Sequence, residues 1–194
     1  MGLLLASSSS LYTGGIVLND FFDYEIDKRE NPGRSLPSGR IRRDVAGLLG
    51  FGLLLCGVLF SLSISTISFV IALCIALLVI SYNSIMKRVA IIGPFNMGLC
   101  RYMNFVLGMT LYLVELSLNL VVPVILLVYI MVITFVSLEE ATNLKIQKIM
   151  RWMILSIIPI NAVIAMIWAG IGYGILVLIL LIPSYLSSRI LYMT

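Results

Sequence analysis

Ile64-Ser65-Thr66-Ile67-Ser68-Phe69-Val70-Ile71-Ala72-Leu73-Cys74-Ile75-Ala76-Leu77-Leu78-Val79-Ile80 decides the fold class. The run is apolar on all sides, whereas a strand of a membrane barrel would alternate apolar and polar residues over roughly ten positions. Leu118 to Val136 reads the same way, and similar stretches follow one another along 194 residues that are 61% hydrophobic and 11% charged. That composition lies far outside soluble globular proteins. A spanning backbone must satisfy its own hydrogen bonds, so the chain reads as an all-α, multi-span transmembrane helical bundle.

Hydropathy places about seven spans, at roughly 2–20, 45–65, 67–86, 94–114, 118–138, 152–170 and 172–190. The cations test this count. Lys28, Arg29, Arg34, Arg40, Arg42 and Arg43 follow the first span, and Lys87, Arg88 and Arg101 surround the connection after the third. Lys145, Lys148 and Arg151 lie beyond the fifth, and Arg189 sits near the end of the last. The alternate connections, near Ser65, Glu115 to Ser117 and Ala169 to Tyr173, hold none. Every positive charge therefore falls on one side, which the positive-inside rule makes cytoplasmic. The net charge of +4 follows from this topology, and no nucleic-acid partner is needed to explain it. Met1 then lies outside with no charge to guide it. A further, inward-starting helix is expected ahead of it.

Cys56, Cys74 and Cys100 fall in three different spans without the short spacing of a zinc or redox site, so they read as small apolar packers. The chain has no His, which excludes imidazole acid–base chemistry and His-liganded metals. No linker divides it. It reads as one membrane domain over 1–194, with Gly47, Gly50 and Gly57 allowing close helix approach and Pro123, Pro159 and Pro183 starting or kinking spans.

Polar residues gather in three regions on the cytoplasmic side, which suggests one composite pocket. The first is Asn19-Asp20-Phe21-Phe22-Asp23-Tyr24-Glu25-Ile26-Asp27. On a helix Asp20, Asp23 and Asp27 fall within an arc of roughly 60°, with Asn19 one turn below Asp23. Carboxylates so close repel one another and want a compensating cation. Mg2+ is the natural candidate, because it takes one or two carboxylates, keeps waters and completes its shell with phosphate oxygens. Glu25 points away as a surface charge. The plain alternative, a solvated helix end paired with the following cations, leaves unexplained why the acids share one face.

Asn31 to Arg40 follows, with turn residues throughout and arginines at Arg34 and Arg40. It is either an ordinary positive-inside loop or a structured lid that brings cations and backbone N–H groups over an anion. The second region holds Tyr82, Asn83, Lys87, Arg88, Asn96, Arg101 and Asn104. Arg101 lies about a turn into an apolar span, where a charge needs a partner, and two amides flank it. The third holds Ser137, Glu139, Glu140, Thr142, Asn143, Lys145 and Lys148. Glu139 and Glu140 share a helix face with Asn143, so a second acidic site could oppose the first; charge pairs of Glu140 with Lys145 and Lys148 explain it equally well. Together the three suggest acids, Mg2+ and a lipid diphosphate at the membrane face, its chain in the bilayer, with metal and cations stabilising the charge that develops as diphosphate leaves.

These residues resemble the UbiA superfamily of intramembrane prenyltransferases. Asn19-Asp20-x-x-Asp23-x-x-x-Asp27 fits that family's first acidic motif, and Arg34-Ser35-Leu36-Pro37-Ser38-Gly39-Arg40 fits the R-P-L-P-S-G-R stretch after it, with Ser35 replacing a proline. Tyr82 with Lys87-Arg88 looks like the family's Tyr…Lys-Arg loop, and Gly93 to Arg101 looks most like its EboC-type branch. The resemblance implies a nine-helix fold, Mg2+, and transfer of a prenyl group from a polyprenyl diphosphate to an acceptor, aromatic rings among the candidates. It implies that Asp20, Asp23 and Asp27 act in catalysis and hold Mg2+, and that Asn19, Arg34, Arg40, Lys87, Asn96 and Arg101 contact diphosphate. Glu139, Glu140 and Asn143 would stand in for the second acidic motif, since the chain has no Asp after Asp44. About seven spans instead of nine implies that the first family helix, and the last, lie outside this sequence. The expected location is a bacterial inner membrane with the site on the cytoplasmic face. A different class of function also fits: a non-catalytic isoprenoid-diphosphate-binding or transport-associated protein whose altered second motif no longer supports turnover.

Overall fold

The computed structural model describes the backbone of residues 1–110, 121–137 and 144–191. All regular structure among the described residues is helical. In chain order the helices are α1 (Gly2–Glu30), α2 (Arg43–Leu62), α3 (Thr66–Ser84), a 3-10 turn at Met86–Arg88, α4 (Ile92–Met109), α5 (Val121–Ser137), α6 (Leu144–Ala169), α7 (Ile171–Ile179) and α8 (Leu181–Leu191). Among the described residues, α2, α3 and the Ile146–Ile167 part of α6 are long and apolar enough to cross a membrane. The helical bundle read from the sequence is what forms.

The bounds differ from the hydropathy reading in three places, each for a physical reason. Helix α1 continues ten residues past the first apolar run, through the acidic cluster, because nothing between Asp20 and Glu30 breaks a helix. It stops at Asn31, just before Pro32, where the residue preceding proline is pushed out of the helical region. Helix α6 likewise starts at Leu144, ahead of the apolar stretch, taking in the polar turn that hydropathy leaves out. The last expected span is two helices, broken at Leu180. Pro183 has no N–H to give the Ile179 carbonyl, and Leu180 turns back to Val177 instead.

Two compact units are present, residues 1–132 and 133–194. In the first, α1 packs chiefly along α2, and both also pack on α3, while α3 packs on α4. Leu4, Leu11 and Leu18 repeat at seven-residue spacing on α1 and are buried, meeting Leu54 and Val58 of α2 in a core that also holds Ala72, Ile75, Ala76 and Leu107. Close approach of α1 and α2 rests on glycine. A Cβ at Gly57 would fall 2.7 Å from the Leu11 side chain, and one at Gly50 2.8 Å from that of Leu18. Ser7, fully buried, donates its hydroxyl to the Gly57 carbonyl at 2.7 Å, a hydrogen bond that only this short helix separation permits. Outward-facing Leu48, Leu55 and Leu77 are exposed, as a lipid-facing surface requires. In the second unit α6 packs on α7 and α8. Trp152 lies beside Tyr185 there, and Pro159 is carried inside α6 without ending it.

Candidate functional site

The site is built on the polar continuation of α1. Because α1 stays helical to Glu30, Asn19, Asp20, Asp23 and Asp27 are held on one rigid element as the spacing predicts. Two groups from elsewhere in the chain converge on them. The first is Lys87, whose Nζ donates to Asn19 Oδ1 at 3.3 Å and forms a short ion pair with the Asp23 carboxylate. Lys87 sits on the 3-10 turn between α3 and α4, and Gly93 holds that turn close: a Cβ there would meet the Met86 and Lys87 backbone at 3.1–3.3 Å. Asn83, buried at the end of α3, donates its amide to the Gly15 carbonyl at 3.2 Å and ties α3 to α1 just below the acids.

The second is Arg34. Its guanidinium donates to Asp27 Oδ2 at 2.9 Å and approaches Asp20 Oδ1 at 3.8 Å. Residues 31–42, the lid segment, form a structured turn system that brings Arg34 onto the acids of α1. Arg34 N–H donates to the Asn31 carbonyl, Ser38 N–H to Arg34, and Ile41 N–H to Ser35, while the Leu36 side chain is buried. Gly39 supplies a positive φ of 76°, a backbone state that side-chain-bearing residues avoid. Between the lid and α1 lies a cavity of about 310 Å3 lined by Asp20, Asp27, Gly33, Arg34, Ser35, Leu36 and Pro37. Behind it Arg43 covers the Phe21 and Tyr24 rings, each at 5.0 Å, and pairs with Glu25, so Glu25 is the surface charge expected.

The sequence-predicted residues thus sort into groups. Asn19, Asp23 and Lys87 come together, as do Asp20, Asp27 and Arg34. Arg40 is exposed and is not among the residues that line the cavity. Asn96 is buried and bonded to other partners: it donates to Met86 Sδ at 2.9 Å and accepts from the Cys100 thiol at 3.4 Å. Arg101 lies over the Tyr12 ring, 4.9 Å from its centre. Glu139, Glu140 and Asn143 lie outside the described residues. Sequence reasoning missed Asn83 as the clamp on Gly15 and Tyr12 as the neighbour of Arg101; the signal was the placement of Ser8, Tyr12 and Asn19 on one face of α1.

Among the described residues no three or more acids or thiols converge on one point to cage a metal. Asp20 and Asp27 nevertheless line one cavity and present hard oxygen ligands, which suits a cation that takes one or two carboxylates and leaves other positions to water and phosphate. Lys87 and Arg34 hold positive charge against these acids in the present arrangement.

The chain matches the UbiA prenyltransferase family over residues 1–193, and it belongs to that family. Among its relatives, a digeranylgeranylglyceryl phosphate synthase of Sulfurisphaera tokodaii is 39% identical over 85 residues, covering 44% of this chain and 31% of the relative. One of Sulfolobus acidocaldarius is 35% identical over 91 residues, covering 47% and 33%. These alignments span about a third of the relatives' lengths. A third such synthase, of Saccharolobus solfataricus, is 27% identical over 208 residues, which covers 98% of this chain and 73% of the relative. A solved structure of a digeranylgeranylglyceryl phosphate synthase shares the fold, with a TM-score of 0.58 at 24% identity over 98% of this chain and 74% of the other. These relatives are archaeal, so they lend no support to the bacterial membrane expected above.

Proposed function

We propose that this chain transfers a prenyl group within the membrane, from a polyprenyl diphosphate bound at the acidic face of α1 to an acceptor nucleophile. The observation that carries the reading is the convergence of Lys87 and Arg34, from two separate loops, on the aspartates of Asn19-Asp20-x-x-Asp23-x-x-x-Asp27. Asp20 and Asp27 would hold Mg2+, with Asp23 supporting them; when bound, the ion neutralises charge on the diphosphate and helps it leave. Arg34 offers a planar, bidentate donor from the lid, and Lys87 a compact cation from below. Substrate binding turns both toward phosphate oxygens. Cleavage of the C1–O bond sends its electron pair to the diphosphate, and the allylic cation is captured by the acceptor, which loses a proton. Closure of the lid over the cavity keeps water from competing. The positive-inside pattern supports the cytoplasmic face for this chemistry.

The relatives' name supports an acceptor built on glyceryl phosphate over an aromatic ring. The test is Mg2+-dependent consumption of geranylgeranyl diphosphate by the purified chain in lipid nanodiscs. Asp23→Ala is expected to lower turnover at least ~100-fold, in line with loss of a group that stabilises developing charge. Consumption that persists in Asp23→Ala overturns the assignment; tight Mg2+-dependent diphosphate binding without product favours the non-catalytic binding protein instead.

A further inference from the structure

Asn83 takes no part in the chemistry above, yet it is 4% exposed and carries a polar amide into the packed end of α3. Its Nδ2 donates to the Gly15 carbonyl of α1 at 3.2 Å. One turn earlier α3 presses on the same residue, since a Cβ at Gly15 would fall 3.2 Å from Val79 Cγ1 and Val79 precedes Asn83 by four residues. Lys87 stands four residues past Asn83, and Asn19, which it contacts at 3.3 Å, stands four past Gly15. Two rungs of equal step therefore join these chain segments: a neutral one from Asn83 to Gly15, and a charged one from Lys87 to Asn19 and Asp23. On a helix the Gly15 carbonyl also receives the N–H of Asn19, so the neutral rung grips the turn from which the acidic face begins.

The rungs differ in what holds them. A lysine ammonium is a point charge on a long flexible stem, free to exchange one anion for another within its reach. In the prenyl-transfer reading, on which this inference rests, Lys87 leaves Asp23 for phosphate oxygens, and the charged rung then no longer ties α3 to α1. A buried amide on a backbone carbonyl has no water to turn to, and opening that bond strands both groups. The neutral rung stays closed while the charged one changes partner.

We propose that Asn83 is a positioning residue for the transfer site: its bond to Gly15 sets the spacing of α1 and α3 whether or not substrate is present, so that Lys87 moves between Asp23 and diphosphate from a fixed base. A double-mutant cycle of Lys87→Met and Asp23→Asn, read by thermal unfolding of the full chain in detergent micelles, gives a Lys87–Asp23 coupling factor. The same cycle is then repeated with Asn83→Leu in all four members. Leucine is close to asparagine in size and lacks the donor. The coupling factor is expected to fall about threefold or more, the scale of one interhelical hydrogen bond in a membrane bundle. An amide that only adds stability would lower all four members alike and leave the factor where it was. In nanodiscs, Asn83→Leu is expected to weaken Mg2+-dependent binding of inorganic diphosphate by about threefold or more, through Lys87. Should Asn83→Leu fail to fold, Asn83→Ala removes the donor without adding bulk and carries both comparisons. An unchanged coupling factor overturns the proposal, and so does diphosphate affinity that ignores the substitution. If the unsubstituted chain binds no diphosphate at all, the transferase reading has failed, and a fall in the coupling factor still upholds Asn83 as the residue that spaces Lys87 from Asp23.

Discussion

Lys87 shows how much a single side chain is asked to do. It is 13% exposed and its partner Asp23 is 19% exposed, so the pair is shielded enough that removing one member leaves a poorly solvated charge. Lys87→Met is therefore expected to destabilise the folded protein by about 1–3 kcal/mol. Lys87→Met with Asp23→Asn is expected to recover most of that loss, because neither charge remains, yet it does not recover diphosphate binding. Thermal unfolding of the four members of this cycle, with inorganic diphosphate titrations alongside, makes the separation. A double variant no more stable than Lys87→Met alone would show that the pair is not what holds the turn to α1. That Asp20, Asp23 and Asp27 share one rigid helix was legible from spacing, since no residue between them breaks a helix. The division of the cations was not. Lys87 and Arg101 look alike in sequence, one basic residue just before α4 and one within it, and only the fold sends one to Asp23 and the other to Tyr12.

At the scale of elements, the helix pair α1 and α2 sets the site, because α1 carries the acids and α2 fixes its position. With lipid on the outside there is no hydrophobic gain in bringing the two together, so close packing must supply the attraction. Gly57 and Gly52 offer a matched comparison on one helix. A Cβ at Gly57 would fall 2.7 Å from the Leu11 side chain and 3.0 Å from the Ser7 carbonyl, whereas one at Gly52 meets nothing within 4 Å. Gly57→Ala is expected to cost about 1–3 kcal/mol through overpacking. Gly52→Ala is expected to be neutral or slightly stabilising, since alanine is the better helix former. Unfolding in detergent micelles measures both, and equal effects would remove the close contact as the reason. The glycines at 47, 50 and 57 were readable as packing positions. Helix bounds were less so: hydropathy sees where a chain leaves the bilayer, not where its helix ends, and α1 and α6 both extend through polar turns that carry no helix breaker.

For the whole molecule the deciding question is which way the bundle faces. The thirteen Lys and Arg residues fall on one side of the sequence-derived topology, and the lid with Arg34 belongs to that side. The α2 and α3 helices, with 20 and 19 residues, are each about 30 Å long, enough to carry the chain from that face across the hydrocarbon and back. Ser38 in the lid and Ser63 in the turn between α2 and α3 must then lie on opposite faces. Replacing Cys56, Cys74 and Cys100 by Ala clears the native thiols, and Ser38→Cys and Ser63→Cys are introduced one at a time. In intact cells a membrane-impermeant maleimide is expected to label Ser63→Cys only, and Ser38→Cys to react once the membrane is opened. Labelling of both from one side would break the alternation of spans. Labelling of Ser38→Cys alone in intact cells would invert the bundle, placing the acidic face of α1 where no cytoplasmic pool of polyprenyl diphosphate could reach it.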